Sequence, residues 1–145
     1  MDEHGWQAQA ALLTHGHHDH VGDAERFPQI FIHKDDVDMC ESIKEFIHPE
    51  DGQVLHLAGL EIKVIHTSGH TSGGVCYLTG GLLFSGDTLF YNTIGRTDFP
   101  TGDRAALIDN IKHKLLTLDG GTKVLPGHGM PSTVAAERAE NPYLQ

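Results

Sequence analysis

Thr14-His15-Gly16-His17-His18-Asp19-His20 is the stretch on which the fold turns. It follows residues 9–14, a short apolar run that reads as a buried strand and stops where the histidines begin. Alternate residues leaving a strand point the same way, so His15 and His17 can converge on one ion. Asp19 and His20, just past the turn, can reach a second ion beside it. Imidazoles with one or two carboxylates suit zinc, and also iron or manganese. A lone loop histidine is usually only a solvated residue. Three histidines and an aspartate at this spacing, directly after a strand, make a chance grouping a poor explanation.

Two ions need more donors than one loop supplies, and three further places offer them. His70 lies in Ser68-Gly69-His70-Thr71-Ser72-Gly73-Gly74, after a strand ending near His66. Asp87 lies in Phe84-Ser85-Gly86-Asp87-Thr88, after a strand over 82–85. His128 lies in Pro126-Gly127-His128-Gly129, after a strand over 122–125. Each donor follows a strand and has glycine directly before it. Open α/β sheets place their sites at such strand ends. The repetition says more than any one residue.

Outward from these loops the chain alternates strands and helices. Residues 21–27 can start a short helix, 29–32 read as a strand, and 34–46 have helical apolar spacing with Asp35 and Asp36 suiting the first turn. Residues 54–57 and 60–64 flank Ala58-Gly59, and 75–79 and 82–85 flank Gly80-Gly81, two hairpin patterns of the same kind. Residues 87–101 are polar and Gly/Pro-marked, and read as irregular. Residues 103–118 form the clearest helix, with Leu107, Ile108, Ile111, Leu115 and Leu118 on one stripe and Gly120-Gly121 after it. Ser132 or Thr133 caps a final helix through Glu140.

Composition bounds the rest. The 145 residues fit one domain, 1–145, with no linker, repeat or low-complexity run. Twenty acidic against ten basic residues give a formal charge of −10, which argues against a nucleic-acid partner. Bound cations would offset part of that charge. No apolar run approaches a membrane span, and Met1-Asp2-Glu3-His4-Gly5 carries no secretory pattern, so a cytoplasmic protein with no membrane partner is expected. Cys40 and Cys76 have no ligand spacing and read as core thiols. The unusual count is 12 histidines. Of these, His33, His48, His56, His66 and His113 have no motif partners and read as ordinary residues, and His18 is expected to face away from the ions.

In order along the chain, His15-Gly16-His17-His18-Asp19-His20, Gly69-His70-Thr71, Gly86-Asp87-Thr88 and Gly127-His128-Gly129 resemble the motifs of the metallo-β-lactamase-fold hydrolases. Gly86-Asp87-Thr88-Leu89-Phe90, Gly95-Arg96-Thr97-Asp98-Phe99-Pro100 and the ending Asn141-Pro142-Tyr143-Leu144-Gln145 look like single-domain relatives of glyoxalase II. The likeness covers essentially the whole chain from Leu12. It implies an α/β fold, the αβ/βα sandwich of that family, and two divalent metal ions, zinc first with iron or manganese possible. Carried over, His15, His17 and His70 would hold the first ion, Asp19, His20 and His128 the second, and Asp87 both.

The reaction so implied is hydrolysis of a small-molecule thioester of the hydroxyacyl-glutathione type, with Asp19 as metal ligand and water-orienting group. Arg96 is the candidate for substrate contact; the competing reading is a structural pair with Asp98 or Asp103. Phe90 and Tyr91 can line the pocket or belong to the core. Other readings on the same fold are a lactonase or another ester or amide hydrolase, and a sulfur dioxygenase with a single iron. A non-catalytic metal-binding or interaction fragment is the reading from a different class.

Two departures stand beside the likeness. Glyoxalase II proper has a C-terminal helical region that grips glutathione, and no such region follows here. Family members also carry several strands and a helix before the first strand, where this sequence has eight residues. The expectation is therefore an N-terminally truncated sandwich with an apolar sheet edge and face exposed, open to homo-oligomer formation. An acidic residue of the absent segment would ordinarily support the metal loop.

Overall fold

The computed structural model describes residues 3–145. Its centre is a six-stranded sheet whose side chains alternate between two apolar layers. The strands are β3 (Val54–Leu57), β4 (Leu60–His66), β5 (Val75–Thr79), β6 (Leu82–Gly86), β9 (Lys123–Pro126) and β10 (Ser132–Thr133), in the order β10-β9-β6-β5-β4-β3. All neighbours are antiparallel except β6 and β9, which run parallel with Leu83 opposite Val124. Both expected hairpins form. Their turns need positive φ at two consecutive residues: Ala58 and Gly59 stand at 52° and 76°, Gly80 and Gly81 at 54° and 77°.

One face of the sheet, carrying Ile65, Cys76, Leu83 and Val124, packs on α2 (Arg104–Asn110), its continuation Ile111–Leu115, and α3 (Val134–Glu140). The expected helix over 103–118 is thus α-helical only in its first half; Ile111–Leu115 is a π-helical turn, with the Leu116 N–H donating to the Ile111 carbonyl. Asp103 caps α2 through the Ala106 N–H and Thr133 caps α3 through the Ala136 N–H. Leu144 closes this core, and the Asn141 amide donates to the Thr93 carbonyl, which gives the final residues their place.

The opposite face carries Leu55, Ile62, Val64, Val75 and Tyr77 and is covered by a two-stranded parallel pair, β1 (Ala11–Leu12) with β2 (Ile30–Phe31). The Tyr77 hydroxyl donates to the Leu13 carbonyl and the Val75 N–H to the Thr14 carbonyl, so the chain leaving β1 is tied to β5. Cover on this face is partial: on β6, Leu82 and Phe84 are 36% and 40% exposed. With helices on one face and strands on the other, the architecture is the α/β sandwich expected. Among the described residues no helix is long and apolar enough to cross a membrane.

Three local expectations need correction. The segment 34–46 is not an α-helix: only Lys34–Met39 turn, as a 3-10 helix ending at Cys40. An α-helix over those residues would run about 20 Å, whereas Ile47 must return beside Phe31, where it exchanges hydrogen bonds with Ile30 and Ile32. Val37, Ile43 and Phe46 still pack on the small core around Ile32 and Cys40, so their spacing reported burial but not helix. The helix placed at 21–27 is instead α1 (His18–Val21) followed by a 3-10 turn, Ala24–Arg26. The irregular stretch after Asp87 contains a small hairpin, β7 (Leu89–Phe90) with β8 (Thr93–Ile94), turned by Asn92 at φ 55° and held by Glu137, whose buried carboxylate accepts from the Asn92 N–H at 2.6 Å.

Candidate metal centre

All seven donors singled out in the sequence meet at one end of the sandwich. The chain leaving β1 is extended through His15 and His17 and then turns into α1, whose first turn lifts Asp19 and His20 to the same side. His70 rides on the β4–β5 loop, which is seated on α2: the Asp103 N–H donates to the Gly69 carbonyl, and the Asn110 amide to the Ser68 carbonyl at 3.0 Å. Gly69 stands at φ 140°, and a Cβ there would lie 2.3 Å from that of Leu107, so this close seat requires glycine. Asp87 follows β6 and His128 follows β9. The Gly127 N–H binds the Gly86 carbonyl, and a Cβ on Gly127 would fall 2.5 Å from Oδ1 of Asp87.

Asp87 is at the middle. Its Oδ2 lies 3.8 Å from Nε2 of His15 and 3.5 Å from Nε2 of both His70 and His128, and its Oδ1 lies 3.3 Å from Nε2 of His20. Three groups can each close on one ion: His15, His17 and His70; His15, His20 and Asp87; and Asp19, His20 and His128, each with donor atoms within 4.8 Å of one another. His17 Nδ1 is 3.1 Å from His70 Nε2, and His20 Nε2 is 3.2 Å from His128 Nε2. Nε2 of His15 is buried without a hydrogen-bond partner, and Oδ1 of Asp87 is buried with only His20 Nε2, 3.3 Å away, to engage it. Such groups are costly in an apolar interior but suit a cation.

The protonation states agree. Burial, helped by the neighbouring His20, pushes His15 down to about 3, and burial with His70 also lowers His17, so both keep lone pairs. Burial would raise the Asp87 carboxyl, but the hydrogen bond and charge of His20 outweigh it and hold Asp87 ionised. His20 is itself raised, first by that bond. His70 places Nδ1 2.7 Å from the Arg96 carbonyl; with Nδ1–H donating there, Nε2 is left free and aimed at Asp87.

A residue missed in the sequence holds these loops together. Asp36, fully buried on the 3-10 turn, accepts from the Gly16 N–H at 2.9 Å, the Thr71 hydroxyl at 2.7 Å and the Gly73 N–H at 2.7 Å. It therefore joins the His15–His20 loop to the His70 loop. An acid within the chain thus supports the loop that carries His15 and His17. Asp35 and Asp36 both read as first-turn acids, and nothing in their spacing separates the buried one from the exposed one.

Beside the donors a cleft of about 690 Å³ opens, lined by Met39, Phe90, Phe99 and Pro100 with Arg96 at its side. Arg96 forms a bidentate pair with Asp98, both contacts 2.6 Å, and its guanidinium lies 4.4 Å from the centre of the Phe99 ring. The pairing with Asp98 is present, and the same residue borders the cleft. His18, expected to face away, also lines it. Phe90 is in the cleft wall; Tyr91 is exposed and outside the lining. His33 and His66, read as unrelated, stack on each other.

Fold and donor cluster define a metallo-hydrolase architecture, and comparison with known proteins agrees. A family model of the Metallo-beta-lactamase superfamily matches residues 35–128. The hydroxyacylglutathione hydrolase GloC of Haemophilus influenzae is 34% identical, over 99% of this chain and 79% of its own length. The solved structure of TTHA1623 in a di-iron-bound form is 33% identical with a TM-score of 0.85, over 98% of this chain and 80% of that one. ETHE1 from Myxococcus xanthus is 27% identical with a TM-score of 0.83, over 97% of this chain and 64% of that one. The chain belongs to the metallo-β-lactamase superfamily, whose members use divalent metals.

Proposed function

We propose that this protein hydrolyses a small-molecule thioester, of the hydroxyacyl-glutathione type, with two divalent ions held by the seven donors. His15, His17 and His70 would hold one ion, and Asp19, His20 and His128 the other. Asp87, within 3.8 Å of four of these imidazoles, would serve both. The observation that carries the reading is this convergence on one half-buried carboxylate. The likeness to GloC supports the thioester, and the di-iron form of TTHA1623 supports a two-ion centre. Zinc is the first expectation, with iron or manganese able to take the same donors.

Bound there, such ions supply a hydroxide near neutral pH and positive charge for the tetrahedral oxyanion. The chain's own groups do the rest. Asp19, exposed at the cleft, has Oδ2 3.4 Å from His20 Nε2 and 3.3 Å from His128 Nε2, and orients the attacking water. Burial acts to raise its carboxyl, but His20 and a backbone hydrogen bond keep it low, so it accepts rather than donates. A thiolate is a good leaving group, and the cleft needs no dedicated acid to protonate it. Met39, Phe90, Phe99 and Pro100 offer the acyl group an apolar wall. Arg96 can leave Asp98 for a substrate carboxylate, because both members of that pair are exposed.

Purified protein should cleave S-lactoylglutathione in preference to an acyl-coenzyme A, a lactone or a β-lactam. Chelation should abolish the activity and added zinc, iron or manganese should restore it. Activity that ignores the chelator, or turnover confined to the lactone or the β-lactam, would overturn the reading.

A further inference from the structure

The ending Asn141-Pro142-Tyr143-Leu144-Gln145, which the proposed reaction leaves unused, is tied to the cleft through the small β7–β8 hairpin. Glu137 on α3 and Asn141 just past its end lie one turn apart, and both are fully buried. Glu137 accepts from the Asn92 N–H, its two oxygens at 2.6 and 3.2 Å, and the Asn141 amide donates to the Thr93 carbonyl at 3.1 Å. Asn141 is itself fixed: its Oδ1 accepts from the Tyr143 N–H, and Gln145 Nε2 donates to its carbonyl. Leu144 packs on the core that holds Leu89 and Ile94. Buried polar groups are costly unless paired, and here two of them engage one hairpin tip.

The hairpin needs this grip. It pairs only Leu89 with Ile94 and Phe90 with Thr93, and so short a pair is marginal by itself. The two-residue turns that suit strand twist have positive φ at the first residue or at both. Here only Asn92, the second, has it, at 55°. Register matters, because a slip of one residue turns every side chain to the other face. Leu89 is buried in the core, whereas Phe90 lines the cleft, its ring centre 6.3 Å from that of His128. The base of the hairpin is tied separately. The Gly95 N–H donates to the Thr88 carbonyl at 3.1 Å, and the Ser85 hydroxyl to the Leu89 carbonyl at 2.7 Å.

We infer that Glu137 and Asn141 are positioning residues, which act from outside the cleft to hold Phe90 as the wall against which the acyl part of the substrate packs. The inference rests on the hydrolase reading. Because the base of the hairpin is fixed without them, losing the grip moves Phe90 and leaves the metal donors in place. Substrate binding then weakens, while substrate that is bound still reacts.

The test compares Glu137→Met, which fills the space without an acceptor, with Glu137→Gln, whose amide oxygen still accepts from Asn92, and with Asn141→Ala. In zinc-saturated protein with S-lactoylglutathione, Glu137→Met and Asn141→Ala should raise KM about tenfold and leave kcat within about threefold. Glu137→Gln should keep KM within about twofold of the unsubstituted protein. Amide exchange over residues 89–94, followed by mass spectrometry, should quicken in Glu137→Met and not in Glu137→Gln. An unmoved KM in folded Glu137→Met, with or without a fall in kcat, would overturn the inference. The exchange arm needs no turnover and so separates the two readings. If the unsubstituted protein leaves the thioester intact, the hydrolase reading fails; if exchange is unchanged in Glu137→Met, the grip itself fails.

Discussion

Four of the seven donors stand on the small β1–β2 side of the molecule, beyond a two-residue strand; the other three stand at the ends of strands in the six-stranded sheet. The larger part is closed over by α2 and α3, and its core residues Leu83, Leu107, Ile111, Leu115 and Val124 are fully buried. The smaller part has little core of its own, centred on Leu13, Ile30, Ile32 and Cys40. It is held by Phe31, Ala10 and Leu12 against the sheet and by a few directed bonds: Tyr77 to Leu13, Val75 to Thr14, and the two that Asp36 accepts from Thr71 and Gly73. The candidate metal centre is thus a joint. A weakly packed piece and a strongly packed one each bring part of the donor set, and whatever occupies the centre binds only when both are in place.

The largest break in that comparison is Asp36→Ala. It leaves three donors unpaired at the joint without touching any of the seven donors. Hydrogen bonds to a charged group contribute about 1.5–3 kcal/mol each, and the loss should exceed about 3 kcal/mol in urea denaturation. Metal affinity should fall about 10- to 100-fold, as for other partners that orient metal ligands. An unchanged midpoint and an unchanged metal titration would mean that the two parts do not depend on this carboxylate.

Acid should part them next. Buried His15 has a pKa near 3 in the folded chain against 6.5 for the free side chain. Above pH 6.5 it is neutral in both states and its contribution is complete. As the pH falls from 6.5 towards 3, the unfolded chain takes up a proton that the folded chain refuses, and stability is lost. The slope from this one residue reaches about 1.4 kcal/mol per pH unit. Chelator-treated protein should therefore melt at a lower temperature at pH 5 than at pH 7.5, and in His15→Asn the difference should shrink.

The smallest effect concerns the bare face beside β1. Phe84 lies opposite Tyr77 and Leu125 yet is 40% exposed, and Leu82 is 36% exposed on the same side. We expect this face to associate with a second copy. Phe84→Thr should change stability by less than about 0.5 kcal/mol while shifting the protein towards monomer in sedimentation at micromolar concentration. Sedimentation as a monomer before the substitution would remove that expectation.

The same division explains what could be read in advance. On the large part, Ala58-Gly59 and Gly80-Gly81 announce their turns, and His70, Asp87 and His128 each follow a strand and a glycine, so both hairpins and the donors were visible. The 103–118 stripe located a helix, though not its π-helical second half. On the small part, order comes from contacts distant in sequence. Asp36 is chosen over Asp35 only because Gly16, Thr71 and Gly73 surround it. Residues 34–46 have helical spacing, but pairing of Ile47 with β2 pulls the chain away from it. Asn92 turns a hairpin without glycine because Glu137, forty-five residues on, accepts its N–H. His33 and His66 meet only through the β2–β4 packing.

The most direct test of the joint is the metal content of the purified, size-separated protein, by element and per chain. The account predicts about two divalent ions in the candidate metal centre, zinc foremost, lost together when Asp87 is changed to Asn. A single iron per chain, or a value near zero in a folded protein, would contradict it.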